Sequence, residues 1–206
     1  MAAAGEQETP GKLLGWYMVG QATWFSSIGL QFVLFPILVT NVLEETGTRL
    51  GIAQVALSMP ALLFMLLGGA KEDRGDPRTI LFRIHLFAAL PPLALASALN
   101  LDFLSFELLL MYGLCMGTAT AFAMPARDAT LTRVAGSNVQ KAVTLALAVQ
   151  QTTQLAGMSL AIFASNVGFA LLFTIQSLVL LGGGLAGRKL AEKAGDVAVP
   201  PSRPQA

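Results

Sequence analysis

Charged residues divide this chain into long apolar tracts. Between Lys12 and Glu44 lie 31 residues without a charge, and Leu50 to Ala70 gives 21 more. Ile84 to Leu101 carries only His85, Leu108 to Ala126 carries none, and Ala142 to Gly187 runs 46 residues without one. A helix crosses a bilayer with about 20 apolar residues, so each of the first four tracts reads as one crossing. The fifth is too long for one, because at 1.5 Å per residue it would extend roughly 70 Å against a hydrocarbon core of about 30 Å. It must turn back, and Ser165-Asn166-Val167-Gly168 is the turn-forming tetrapeptide near its middle. The pattern predicts an all-α polytopic membrane protein with six transmembrane helices, near 13–43, 50–70, 80–101, 105–126, 140–164 and 168–187. The tracts lack the polar and apolar alternation of barrel strands. Prolines 36, 60, 91, 92 and 125 read as kinks or helix ends, since neighbouring helices satisfy the backbone groups they free.

Composition agrees with lipid as the solvent. The chain is 54% apolar and 12% charged, against roughly 25% charged in globular proteins, which leaves too few polar residues to cover a soluble surface. The single cysteine, Cys115, and single histidine, His85, give no disulfide framework and no metal-ligand cluster. A net charge of +1 gives no footprint for nucleic acid. Its distribution is informative: a cytoplasmic N-terminus places 12 of the 13 basic residues inside and leaves only Arg49 outside, beside Glu44 and Glu45. That is the positive-inside pattern, and it predicts both termini in the cytoplasm. The first basic residue is Lys12, and the uncharged run behind it is long enough to stay as an anchor instead of a cleaved signal. Residues 1–12 and the Pro-rich 191–206 are expected as cytoplasmic tails, the latter disordered, around a bundle spanning 13–190.

Two motifs sharpen the class. The turn after helix two reads Gly69-Ala70-Lys71-Glu72-Asp73-Arg74-Gly75-Asp76-Pro77-Arg78. On charge alone this is a solvated turn between helices. Its order, glycine, three residues, Asp-Arg and a further arginine, resembles the signature loop between helices two and three of the major facilitator superfamily. There the glycine permits close packing and the charged residues form a latch on the cytoplasmic face, which implies that role for Gly69, Asp73, Arg74 and Arg78. Lys71 and Glu72 stand where that motif usually has small or apolar residues. The stretch from Gly117 to Val134, with Phe122, Pro125-Ala126-Arg127, Ala129 and Leu131, is similar to the end of helix four in the enterobactin-exporter-like branch and adds Arg127 to the latch group. The resemblance covers the first six-helix half of a twelve-helix transporter. It implies an integral protein of the bacterial inner membrane that moves a small solute. Exporters of the superfamily often carry Gly-Pro-Gly in helix five, and the corresponding Leu155-Ala156-Gly157-Met158 has no proline.

Inside the helices the polar residues are mostly amides and hydroxyls. Gln21, Trp24, Ile28 and Gln31 fall within about 80° of one another on a helix, and Thr144, Gln151, Gln154 and Met158 form a similar stripe on helix five. In the resembling family helices one, two, four and five line the path, which makes Gln21, Trp24, Gln31, Thr144, Gln151 and Gln154 candidates for substrate contact. Equally, amides in lipid join helices, at about 1 kcal/mol each. No carboxylate lies at mid-membrane to carry a proton, and His85 is expected as a side chain at the membrane surface. Gly113-x-x-x-Gly117 and Gly183-x-x-x-Gly187 predict close helix contacts, and Ser137-x-x-Gln140 a capping box opening helix five. With no nucleophile set, phosphate loop or metal cluster, no enzyme and no cofactor are expected. Two readings stand: a half-size or truncated secondary transporter that pairs with itself or with a complementary half through helices one, two, four and five, or a non-transporting scaffold that keeps the bundle.

Overall fold

The structure, a computed structural model, describes residues 10–68, 76–136 and 138–195. Among these every regular element is helical: α1 Pro10–Ile37, a π-helical extension Leu38–Val42, α2 Gly47–Gly68, α3 Pro77–Asn100, α4 Phe106–Ala135, α5 Val139–Ala161, the single turn α6 Ala164–Val167, and α7 Phe169–Gly195. The sixth expected helix is therefore α7. The chain reverses between α5 and α7 where the turn tetrapeptide lies, with Gly168 at φ +89°, a conformation that side chains with a Cβ rarely adopt.

Among the described residues, five helices are long and apolar enough to cross a membrane: Gly11–Val42, Gly47–Phe64, Pro77–Asn100, Phe106–Ala135 and Phe169–Glu192. Helix α5 has 23 residues, a sufficient length, but its glutamines 140, 150, 151 and 154 keep it less apolar than those five. Several boundaries differ from expectation because helix hydrogen bonding does not stop where the apolar tract does. Helix α4 passes Pro125 and continues to Ala135, where Gly136 at φ +56° ends it. Helix α7 runs to Gly195, so 191–195 belong to the bundle's last helix and not to a tail. Ser137 lies outside the described residues; α5 starts after Asn138, whose side chain makes no capping bond.

Helix α1 is the axis of the bundle, packed against α4, α5 and α7, while α3 lies against α7 and α4, and α2 packs chiefly on α4. The core collects Trp24, Leu34 and Phe35 from α1, Leu95 from α3, Met116 from α4 and Phe173 from α7. Glycines set the closest approaches. A Cβ at Gly29 would overlap the carbonyl of Gln154, and one at Gly157 the carbonyl of Ser26, so α1 and α5 touch backbone to backbone. Gly117 meets the Leu57 carbonyl of α2 in the same way, with Gly113 one turn before it, as the first glycine repeat predicts. In the second repeat, Gly183 is tight against Thr23 and His85, and Gly187 makes ordinary contact with Phe82.

The charges segregate to the two ends of the bundle. At one end, Arg133 of α4 pairs with Asp76 before α3 at 3.3 Å, and Lys189 of α7 lies 4.7 Å above the ring of Trp16 in α1. At the other, Arg49 pairs with Glu45 and lies 5.0 Å above Phe106. The first is the basic end of the bundle.

Candidate substrate path

Of the loop motif, Gly69, Asp73 and Arg74 lie outside the described residues. Arg78 stands in the first turn of α3, half-buried, with its Nε enclosed and without a hydrogen-bond partner among the described residues. Asp76 is the N-cap of α3, accepting from the Arg78 amide at 3.4 Å, and its carboxylate also receives Arg133 at 3.3 Å. Proline at the following position, Pro77, suits a helix start because its missing N–H has no helical partner there. Arg127 makes no ion pair or hydrogen bond with Asp76 or Arg78. It sits six residues before Arg133, roughly 9 Å lower along the helix, is 8% exposed, and its guanidinium lies 4.5 Å from the ring of Phe25 on α1.

The polar stripe of α1 faces the bundle interior. Gln21, Trp24 and Gln31 are all buried. Gln31 accepts from the Tyr112 hydroxyl of α4 at 3.1 Å. Gln176 of α7 donates to that same hydroxyl at 3.2 Å, to the Ser27 hydroxyl at 3.1 Å and to the Ser27 carbonyl at 3.2 Å. One network thus ties α1, α4 and α7 at the centre of the bundle, as buried polar groups require. Trp24 stands edge-on to His85 with ring centroids 5.1 Å apart. His85 is buried inside the bundle and does not lie at its surface: its Nδ1 is bonded to the Leu81 carbonyl at 2.9 Å, and its Nε2 lies 3.4 Å from the Gly20 carbonyl. The glycine at 183 opens the space that this ring fills.

The stripe of α5 divides. Gln154 is half-buried, its carbonyl seated on Gly29, whereas Thr144 and Gln151 are exposed on the outer face. Toward the basic end, α1, α4 and α5 part to leave a cavity of about 230 Å³. Tyr17, Gln21, Arg127, Asp128, Thr132 and Gln150 give it a polar lining, with Leu131, Val143, Ala146 and Leu147 supplying the apolar part. Of the sequence candidates among the described residues, only Gln21 and Arg127 line this space. Tyr17, one turn before Gln21, and Gln150, beside Gln151, had a legible signal in continuing the two stripes. Asp128 and Thr132 had none, because nothing in the tract from Gly117 to Val134 shows which side of α4 faces α1. Among the described residues no cluster of three or more His, Cys, Asp or Glu is placed to hold a metal ion.

A bundle of apolar helices with its polar groups gathered inside and a cavity near one end is that of a polytopic membrane protein. A family model for transmembrane secretion effectors, a major-facilitator-type family, matches residues 16–187, and the chain belongs to that family. It is a membrane transporter by that membership, a class whose work is translocation and not catalysis. No curated protein and no solved structure matches the chain.

Proposed function

We propose that the chain forms one six-helix bundle of a secondary transporter that exports a small solute by alternating access. The observation that carries this reading is the pairing of a cavity of mixed polar and apolar lining between α1, α4 and α5 with polar side chains left exposed on α5. In transporters built from repeats, substrate sits between two bundles that rock about it. Thr144 and Gln151 on α5, together with the mostly exposed α2, of whose membrane window 17% is buried, are the surface a second bundle would cover. That second bundle is another copy of this chain or a complementary half. The basic end lies in the cytoplasm of a bacterial inner membrane, following the charge asymmetry, so the cavity loads from inside. Helix α5 completes the set of six crossings, its amides turned to protein and to the path instead of lipid.

Inside-out membrane vesicles carrying the full chain, loaded against a panel of amphiphilic solutes, test this reading. Concentrative uptake that depends on the chain and is lost on Gln21→Ala is the expected result. Vesicles that fold and retain the protein yet show no flux for any solute, under a proton or sodium gradient, would favour the scaffold.

A further inference from the structure

We infer that the cavity at the basic end is an anion site, binding the carboxylate or phosphate head of an amphiphilic ligand on Arg127. Arg127 is 8% exposed and carries a charge that no accessible pH removes. It makes no ion pair and no hydrogen bond with any described residue, and its Nε is fully enclosed without an acceptor. The Phe25 ring beneath it offers a π-face but no lone pair, so the guanidinium fork remains unfilled. Gln21, 5% exposed, adds a second orphan, its Oε1, on the wall of the same cavity. Two buried side chains with polar atoms that lack a hydrogen-bond partner among the described residues, on two helices and lining one space, define the site.

The remaining lining states what fits. The Tyr17 hydroxyl, Thr132 and the Gln150 amide can donate to the same oxygens, while Val143 and Leu147 on α5 offer an apolar wall to a chain attached to the head. A volume of about 230 Å³ equals that of about eight waters at ~30 Å³ each, enough for a head and a short tail. Asp128 is the one carboxylate in the lining; it is exposed and forms no ion pair with Arg127. It leaves room for a single negative charge and repels a second. The ligand is therefore a monoanionic amphiphile. Two sources share that chemistry, a soluble solute and the headgroup of an anionic lipid, since basic pockets between membrane helices also hold such headgroups.

The inference rests on the transport reading for its biological meaning, but binding is measured without flux, so the two fail separately. Equilibrium binding of radiolabelled octanoate to the purified full chain in neutral detergent is the test, with octanamide and nanodiscs of phosphatidylglycerol or phosphatidylcholine as competitors. Saturable octanoate binding that Arg127→Gln weakens at least tenfold, Asp128→Asn tightens severalfold, and octanamide does not displace supports the site. Displacement by phosphatidylglycerol and not by phosphatidylcholine assigns it to lipid; displacement by neither assigns it to a soluble anion. Should Arg127→Gln not fold, Tyr17→Phe and the tightening by Asp128→Asn carry the test. Octanoate bound equally by wild type and Arg127→Gln, or displaced as well by octanamide, overturns the inference. So does the absence of saturable binding for both octanoate and phosphatidylglycerol, even in a chain that transports.

Discussion

Gln31 and Gln176 show what a polar residue inside a membrane bundle demands. Each is buried, and each reaches the single hydroxyl of Tyr112, Gln31 as acceptor at 3.1 Å and Gln176 as donor at 3.2 Å. Removing that hydroxyl leaves Gln31 without a donor and Gln176 with Ser27 alone. Tyr112→Phe should lower stability by about 1 kcal/mol, the usual cost of one lost buried bond when part of the network survives. The thermal midpoint of the detergent-solubilised protein measures it, with Thr118→Ala as control, since Thr118 is half-buried and bonds only the Leu114 carbonyl of its own helix. A midpoint equal to wild type in Tyr112→Phe would remove the network from the account of stability. The sequence showed Gln31 as one of a stripe, but its partner lies 81 positions away on another helix, and periodicity along one helix carries no information about that distance. Arg127 is the same case: part of the helix-four motif by resemblance, a buried side chain packed on the Phe25 ring by structure.

Helices were legible because lipid imposes them, since every backbone group must be satisfied within its own segment. Their ends were less so, because outside the hydrocarbon nothing obliges α4 or α7 to stop, and both run on until a glycine ends them or the described residues do. Glycine spacing was the best guide to which faces touch. It identified Gly113 and Gly117 as a close contact, though not α2 as the partner, and missed the Gly29 and Gly157 contact, because one glycine from each of two helices makes no repeat in the sequence. The contacts rank the glycines by what an added methyl meets. At Gly117, Gly29 and Gly157 it overlaps a backbone carbonyl of another helix, which cannot move without shifting the helix. At Gly187 its nearest neighbour is 3.6 Å away. Alanine at any of the first three should cost on the order of 1–3 kcal/mol, as overpacking does, and at Gly187 close to nothing. Thermal midpoints of the four single variants check the order, and a Gly187→Ala variant as damaged as Gly117→Ala would contradict it.

At the scale of the whole molecule, the segregation of charge and the exposed face of α5 carry the remaining predictions. Arg49 and Glu45 mark one end, and Asp76, Arg133 and Lys189 the other. With the basic end inside, single cysteines at Thr46 and Leu101 in a Cys115-replaced background should react with an impermeant thiol reagent from outside, and one at Lys141 should not. Reversed labelling at all three would invert the topology and with it the direction from which the Arg127 cavity fills. Assembly follows from polarity. Gln151 is exposed on α5, whereas the exposed Thr144 donates to the Gln140 carbonyl of its own helix at 3.0 Å; in lipid an unpaired polar group costs several kcal/mol, so the Gln151 face needs protein against it. Gln21 is buried within its own bundle and offers no contact to another. Leu90 of α3, 59% exposed, is apolar and suits lipid. Cysteines at Gln151 should therefore cross-link to a second copy or to a complementary bundle in native membranes, whereas cysteines at Leu90 should not. Efficient cross-linking at Leu90 with none at Gln151 would place the interface on the wrong side. Transport by a chain shown to be strictly monomeric would remove the need for a second bundle altogether, and the cavity between α1, α4 and α5 would then have to close against its own helices.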